Sequence, residues 1–286
     1  MRESAKLRQM IESGKTHIIP GVYDGLSARI AETAGAELLY ATGGGISRST
    51  GIPDMGLLNP VQIAERLTQI VDAVEVPVIA DFDTGYGNAL NALHALKGVE
   101  RTGVAGFHIE DQVFPKRCGH YEGKSVVPTE ELATKIRAIK ENATDPDLVV
   151  IARTDSVAVE GLDAAIERMH AYIEAGADVA FVEAPRTIED IERVAKELPY
   201  PKLLNMFWGG KTPIVERAAL EEMGYNLVIV PGDLQRGAIY AMQEMAKAIL
   251  ADGHTESLKH MMASFDDREV AINTAKFMEL DQRYAT

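Results

Sequence analysis

The chain has 286 residues, 46% of them apolar, which suffices for one large domain or two small ones around a substantial core. Its 29 basic and 43 acidic side chains leave a net charge of −14, which excludes nucleic acid as an expected partner, because that affinity comes from Lys and Arg meeting phosphates. One cysteine excludes an internal disulfide and any multi-cysteine metal site.

The charged start, MRESAKLR, does not read as a secretory signal, and no apolar run nears the ~18 residues a membrane helix needs. A cytoplasmic protein with no membrane partner is expected, in which the sequon at Asn142 is inert. Along the chain, eight short apolar runs recur, each followed by an amphipathic stretch rich in Ala, Glu and Arg. They are 17–20, 37–41, 76–82, 104–109, 148–152, 178–182, 202–206 and 226–230. Near-continuous apolar runs are the mark of parallel strands covered on both faces. The stretches 162–175 and 188–198 read as helices, with first-turn capping chemistry at Thr129 and Thr187. Gly35, Gly103 and Gly176 read as helix stops leading into strands. Eight strand–helix units match an α/β fold of the (β/α)8 TIM-barrel type, one domain over 1–286 with a helical extension from about residue 234. The alternative, a doubly wound sheet, would carry G-x-G-x-x-G after its first strand, and none is there.

What ends each strand is more informative. The second runs through Tyr40 into Thr42, Gly43 and Gly44. The third gives Asp81 and Asp83, the fourth His108, Glu110 and Asp111, and the fifth Arg153 and Asp155. Glu183 ends the sixth and Asn205 the seventh, and Asp233 and Arg236 follow the eighth. In a barrel these ends meet at one mouth. Side-chain alternation puts Asp81 with Asp83, His108 with Glu110, and Arg153 with Asp155 on shared sides. One acid after a strand is ordinarily a cap or a solvated loop charge, but six consecutive strands ending in this way point to a site. Crowded carboxylates repel unless a cation or protons intervene. Asp81, Asp83 and Glu110 therefore read as hard-oxygen ligands for Mg2+, with Mn2+ as the other candidate.

Cys118 sits in the run Lys116-Arg117-Cys118-Gly119-His120. A lone cysteine is ordinarily a small buried hydrophobe. Cationic neighbours instead stabilise the thiolate and mark a reactive thiol. Lys116 and Arg117 read either as solvated charges or as partners of a substrate carboxylate. Two phosphate motifs fail: the glycines at 43–45 lack a following Lys-Ser/Thr, and Asn205 occupies the first glycine position ahead of Gly210-Lys211-Thr212. The amides at 43–45 still suit an anionic group.

Taken together these motifs resemble the isocitrate lyase/phosphoenolpyruvate mutase superfamily. They are KRCGH at 116–120, TGGG at 42–45 with IPD at 52–54, DFDTGYG at 81–87, GFHIEDQ at 106–112, IARTD at 151–155 and VEAP at 182–185. The likeness runs from about residue 19 to 236. It is nearest to the short-chain lyases, those for methylisocitrate and 2,3-dimethylmalate, since the phosphonomutase and oxaloacetate decarboxylase branches lack the thiol. The resemblance implies a barrel that forms a homotetramer by exchanging its C-terminal helix and uses Mg2+ on a small 2-hydroxy carboxylate. It implies that Asp81 and Asp83 hold the ion with Glu110 in support, and that Tyr40 is the base. Cys118 becomes the acid that protonates a departing enolate, tuned by His120. Arg153 and the amides near Gly44 and Gly119 hold carboxylates, while Glu183 and Asn205 orient the enolate. Thr42, Gly43, Asp54, Lys116, Arg117 and Arg236 complete the expected substrate contacts.

Two departures stand out. Trp208 occupies a position where many relatives have glutamate, which reshapes the pocket's outer wall. Phe265 falls near the late arginine of methylisocitrate lyases, with Arg268 only approximately placed, and this favours a dicarboxylate over a tricarboxylate. The alternatives are oxaloacetate decarboxylase or phosphonomutase activity and, outside the enzymes, a non-catalytic carboxylate-binding barrel.

Overall fold

The computed structural model describes residues 1–119, 121 and 123–285. Eight parallel strands close into a barrel in chain order: β1 (His17–Val22), β2 (Leu39–Ala41), β3 (Val78–Asp81), β4 (Gly106–Glu110), β5 (Val149–Thr154), β6 (Val179–Val182), β7 (Lys202–Asn205) and β8 (Leu227–Val230). Each lies on one of the eight expected apolar runs, with ends displaced by a few residues. Helix α1 (Glu3–Glu12) precedes the barrel; α2 (Gly25–Thr33), α3 (Gly43–Ser49), α4 (Pro60–Val71), α5 (Ala89–Arg101), α6 (Thr129–Asn142), α7 (Leu162–Glu174), α8 (Ile188–Glu197) and α9 (Arg217–Glu222) connect its strands. Beyond β8 come α10 (Asp233–Asp252), α11 (Phe265–Ala271) and α12 (Thr274–Tyr284).

Strand alternation divides the core in two. Outward residues such as Ala80, Phe107, Ile109, Val150 and Val182 pack beneath the helices. Inward residues Ile79, Ile151, Phe181, Leu203 and Ile229 fill the barrel, and α1 closes its lower end with Leu7 and Ile11. Burying each such side chain contributes roughly 1.5–3 kcal/mol. One step further along the same inward rows stand Asp81, Arg153, Glu183 and Asn205, so the polar layer rests on an apolar floor.

Thr187 caps α8 as expected, its hydroxyl accepting from the Asp190 amide at 3.1 Å while Asp190 accepts from the Thr187 amide. Thr129 does not cap. Pro128 precedes α6 in extended backbone, so Thr129 is already the first helical residue, and Glu130 and Glu131 instead oppose the positive end of the helix. The glycine stops hold: Gly35, Gly103 and Gly176 all adopt positive φ. On α10 the only buried side chain is Gln235, and α11 and α12 bury none. Among the described residues no helix is long and apolar enough to cross a membrane.

Candidate active site

Strand register assembles the polar layer. Asp81 of β3 pairs with His108 of β4, and Glu110 of β4 with Arg153 of β5. Ligand atoms of Asp81, His108 and Glu110 lie within 4.8 Å of one another, all buried. The carboxylates expected to gather as Asp81, Asp83 and Glu110 thus gather with His108 in place of Asp83. β3 ends at Asp81, and Asp83 takes a left-handed φ of 47°, which breaks the alternation. Its carboxylate turns to Lys116 Nζ at 2.9 Å.

Both Glu110 oxygens are buried without a hydrogen bond among the described residues, although Arg153 Nη1 lies 3.3 Å from one. Burial pushes this carboxyl well above its usual range. Buried lone pairs without donors, beside a second carboxylate and an imidazole, are what a divalent cation satisfies, so the residues present fit one. Burial lowers His108 to about 4, so the imidazole is neutral. Tyr40 Oη lies 2.7 Å from His108 Nε2 and 3.4 Å from Asp81 Oδ2. Burial, then the charge of Asp81, raises its pKa well above the ordinary value, so a resting tyrosinate is disfavoured.

Arg153 is held by a two-pronged bond to Asp155, Nε to Oδ2 at 2.9 Å and Nη2 to Oδ1 at 3.1 Å, and its guanidinium lies 5.3 Å from the centre of the Phe181 ring. Against the effect of burial, Arg153 and Lys124 hold the Asp155 carboxyl at about 2. Asn205 donates to both Glu183 oxygens, at 3.3 and 3.2 Å.

Cys118 rides on a flap, 112–126, whose base is joined by an antiparallel bridge between Gln112 and Val126. The Gln112 side chain accepts from the Arg117 amide at 2.9 Å and donates to its carbonyl at 2.8 Å. Three further attachments bring the flap down. The Cys118 amide donates to the Asp54 carbonyl at 3.3 Å. Lys116, buried rather than solvated, pairs with Asp54 at 2.6 Å and with Asp83. Lys124 donates to the Gly119 carbonyl and to Asp155 Oδ1 at 2.8 Å. Gly119 seats closely here: an added Cβ would lie 2.6 Å from Arg153 Nη2 and 2.8 Å from Glu183 Oε1, so the flap or these side chains would have to shift. Gly43 is equally constrained: its amide donates to Asp81 Oδ2 at 3.2 Å, and a Cβ would lie 2.5 Å from that oxygen.

One cavity of about 350 Å³, in the size range of small-molecule sites, opens at this mouth. Of the expected residues, Tyr40, Thr42, Gly44, Asp54, Asp81, Lys116, Cys118, Gly119, Arg153, Glu183, Asn205 and Arg236 line it. Asp83, Glu110 and Gly43 lie behind that lining. Arg117 is exposed, its guanidinium beside Gly123, and does not line the cavity. His120 lies outside the described residues. The outer wall is not built as Trp208 suggested. Phe207 lines the cavity, while the Trp208 ring is exposed with the Arg236 guanidinium 4.9 Å from its centre. Phe265 and Arg268 stack on each other on exposed α11, and neither lines the cavity. Sequence reasoning passed over Arg48, Tyr121 and Ile239, which line it, and Lys124, which holds the flap. The only advance signal for Arg48 was its place just after the glycine run.

The model of the phosphoenolpyruvate phosphomutase family matches residues 7–250. The chain is 39% identical over 287 residues to 2,3-dimethylmalate lyase of Eubacterium barkeri, covering 100% of this chain and 99% of that one. It is 38% identical to 2-methylisocitrate lyase of Bacillus subtilis (strain 168), over 99% and 93% of the two chains. Among solved structures, 2,3-dimethylmalate lyase superposes with a TM-score of 0.93 at 36% identity, over 100% of this chain and 96% of that one. Phosphonopyruvate hydrolase in complex with oxalate and Mg2+ does so with a TM-score of 0.90 at 28% identity, over the whole of both. The closed barrel thus agrees with the solved structures it superposes on, and the chain belongs to the isocitrate lyase/phosphoenolpyruvate mutase superfamily, on its branch of short-chain carbon–carbon lyases.

Proposed function

We propose that this enzyme is a Mg2+-dependent lyase acting in the cytoplasm on a substituted 2-hydroxy di- or tricarboxylate. The substrate would be of the 2,3-dimethylmalate or 2-methylisocitrate type, and the products pyruvate or another 2-oxo acid and a second carboxylate. The observation that carries this reading is that a thiol on a flap and an acid of the buried cluster, Cys118 and Asp81, line one cavity together with Arg153. Asp81 and Glu110 would hold the ion, with Asp83 adding negative charge from its place against Lys116. Mn2+, which takes the same carboxylate donors, is the alternative. Bound there, the ion would make the substrate hydroxyl more acidic and polarise the carbonyl that forms from it.

Tyr40 serves as a relay. It takes the hydroxyl proton of the substrate while passing its own to the neutral His108 imidazole it already faces. The C2–C3 bond then breaks, the C2 oxygen becomes the carbonyl of the 2-oxo acid, and the electron pair moves to C3 as the enolate of the second carboxylate. Cys118, protonated at that moment, delivers a proton to C3 as general acid. Solvent returns the proton to sulfur and removes the one held by Tyr40 and His108. Arg153 and the amides of Gly44 and Gly119 hold carboxylate, and Glu183 and Asn205 orient the enolate. With phenylalanine at 265, where the resemblance puts the late arginine of methylisocitrate lyases, a dicarboxylate is the favoured substrate.

The assembly is proposed to be a homotetramer in which a second copy covers α10–α12, since Leu250, Val270 and Met278 on these helices are exposed and so is Ile18 on strand β1. Release of 2-oxo acid over dimethylmalate, methylisocitrate, isocitrate, citramalate and oxaloacetate, each with and without chelator, tests the reading. Metal-dependent cleavage of a substituted malate is expected. Binding without turnover would instead indicate a carboxylate-binding barrel, and oxaloacetate decarboxylation unaffected by Cys118→Ser would indicate a decarboxylase.

A further inference from the structure

Among the described residues, four cations line the cavity: Arg48, Lys116, Arg153 and Arg236. Three have an acid of this chain against them. Lys116 meets Asp54 and Asp83 at 2.6 and 2.9 Å, Arg153 meets Asp155 at 2.9 Å, and Arg236 Nη1 lies 3.7 Å from Asp233 while its guanidinium covers the Trp208 ring. Arg48 makes no ion pair with any described residue.

It is nonetheless held in place. Its Nε donates to Gln235 Oε1 at 2.7 Å, and Gln235, the one buried side chain of α10, anchors itself by donating Nε2 to the Gly45 carbonyl at 2.8 Å. With Nε engaged, Nη1 and Nη2 remain as a pair. Both lie 3.2 Å from the position a Cβ on Gly44 would take, a point that Asp54 Oδ2 approaches to 3.1 Å from its own salt bridge with Lys116, and Gly44 itself lines the cavity. A guanidinium tethered at one edge presents its other donors as a planar fork, the geometry that matches a carboxylate bidentately.

We infer that Arg48 binds the substrate carboxylate that is not attached to the hydroxyl-bearing carbon, with Gln235 as its positioning residue. This assignment rests on the lyase reading only for the identity of the substrate. What it takes from the structure is a tethered guanidinium whose two Nη donors sit beside Gly44 at the cavity wall. Arg48 is then a specificity determinant: it rewards a 2-hydroxy dicarboxylate over a 2-hydroxy monocarboxylate carrying the same head.

Calorimetric titration with malate and with lactate, both in Mg2+, separates the two halves of the ligand on the intact protein. Arg48→Met is expected to weaken malate binding roughly tenfold or more while leaving lactate within about twofold, because only one charge-assisted pair is lost. Arg48→Lys, which keeps the charge but not the fork or the Gln235 tether, should fall between parent and Arg48→Met. Gln235→Leu should reduce malate affinity less than Arg48→Met and be without further effect once Arg48 is methionine. Arg48 is exposed, so its two substitutions leave the core untouched, and Gln235→Leu puts an apolar side chain of similar size at a buried position. An equal fall for both ligands, or none for malate, overturns the assignment. If no alkylmalate is cleaved and malate binding still depends on Arg48, the lyase reading fails and this one stands.

Discussion

Gly119→Ala isolates how closely the flap must seat. The new Cβ would fall 2.6 Å from Arg153 Nη2 and 2.8 Å from Glu183 Oε1, where ordinary contact begins at 3.4 Å. Neither neighbour can give way cheaply. Arg153 is fixed by two bonds to Asp155, and Glu183 by two from Asn205. The flap must therefore back off by roughly 1 Å and carry the Cys118 sulfur with it, a misplacement that costs roughly 100-fold in rate, or about 2.7 kcal/mol of transition-state stabilisation. Gly119 does not adopt positive φ, so the methyl group adds no backbone strain. The melting temperature should change little while kcat for 2-oxo acid release falls about 100-fold. A variant whose kcat stayed within twofold of the parent would refute the idea that the flap works in the seated position.

Arg153→Lys replaces a fork with a point charge and cannot reproduce both bonds to Asp155; kcat/KM should fall roughly 100-fold in the same assay. Lys124→Met should destabilise the protein by roughly 1–3 kcal/mol at neutral pH in urea melts, and should speed alkylation of Cys118 as the flap lifts. Because a depressed carboxyl contributes stability above its unfolded pKa, and Asp155 is lowered from 3.8 to about 2, that stability gap should be full at about pH 5. It should close as the pH falls towards about 2. Gly98→Ala, in α5 with the new Cβ 3.9 Å from the Ala64 methyl, should raise stability by roughly 0.5–1 kcal/mol without altering activity.

The barrel was legible because parallel strands covered on both faces leave unbroken apolar runs, and alternation carried His108 with Glu110 onto the inner face, while Asp155, past the end of β5, meets Arg153 through its two-pronged bond. Alternation failed at Asp83, where the chain leaves the strand through positive φ, a choice that the residue type does not announce. Capping at Thr129 was misread because Pro128, not the threonine, sets where α6 begins. Lys124 and Arg48 were missed for a different reason. A lysine after a glycine and an arginine on a short helix look like solvated charges until the fold brings Asp155 and Gln235 to them from far along the chain. Trp208 was noticed, but placing its ring, off the cavity and paired with Arg236 at the cavity's edge, needed the relative placement of two barrel loops.

The central claim is that the Cys118 thiol and the acid cluster act together on one carbon–carbon bond. The direct test follows cleavage of the turned-over alkylmalate in D2O by parent and Cys118→Ser enzymes, each with and without chelator. The parent should release 2-oxo acid only with metal present and place one deuterium on the carbon that departed. Cys118→Ser should be slower by roughly 100- to 10,000-fold. Cleavage by Cys118→Ser at the parental rate, or by the parent in full chelator, would contradict it.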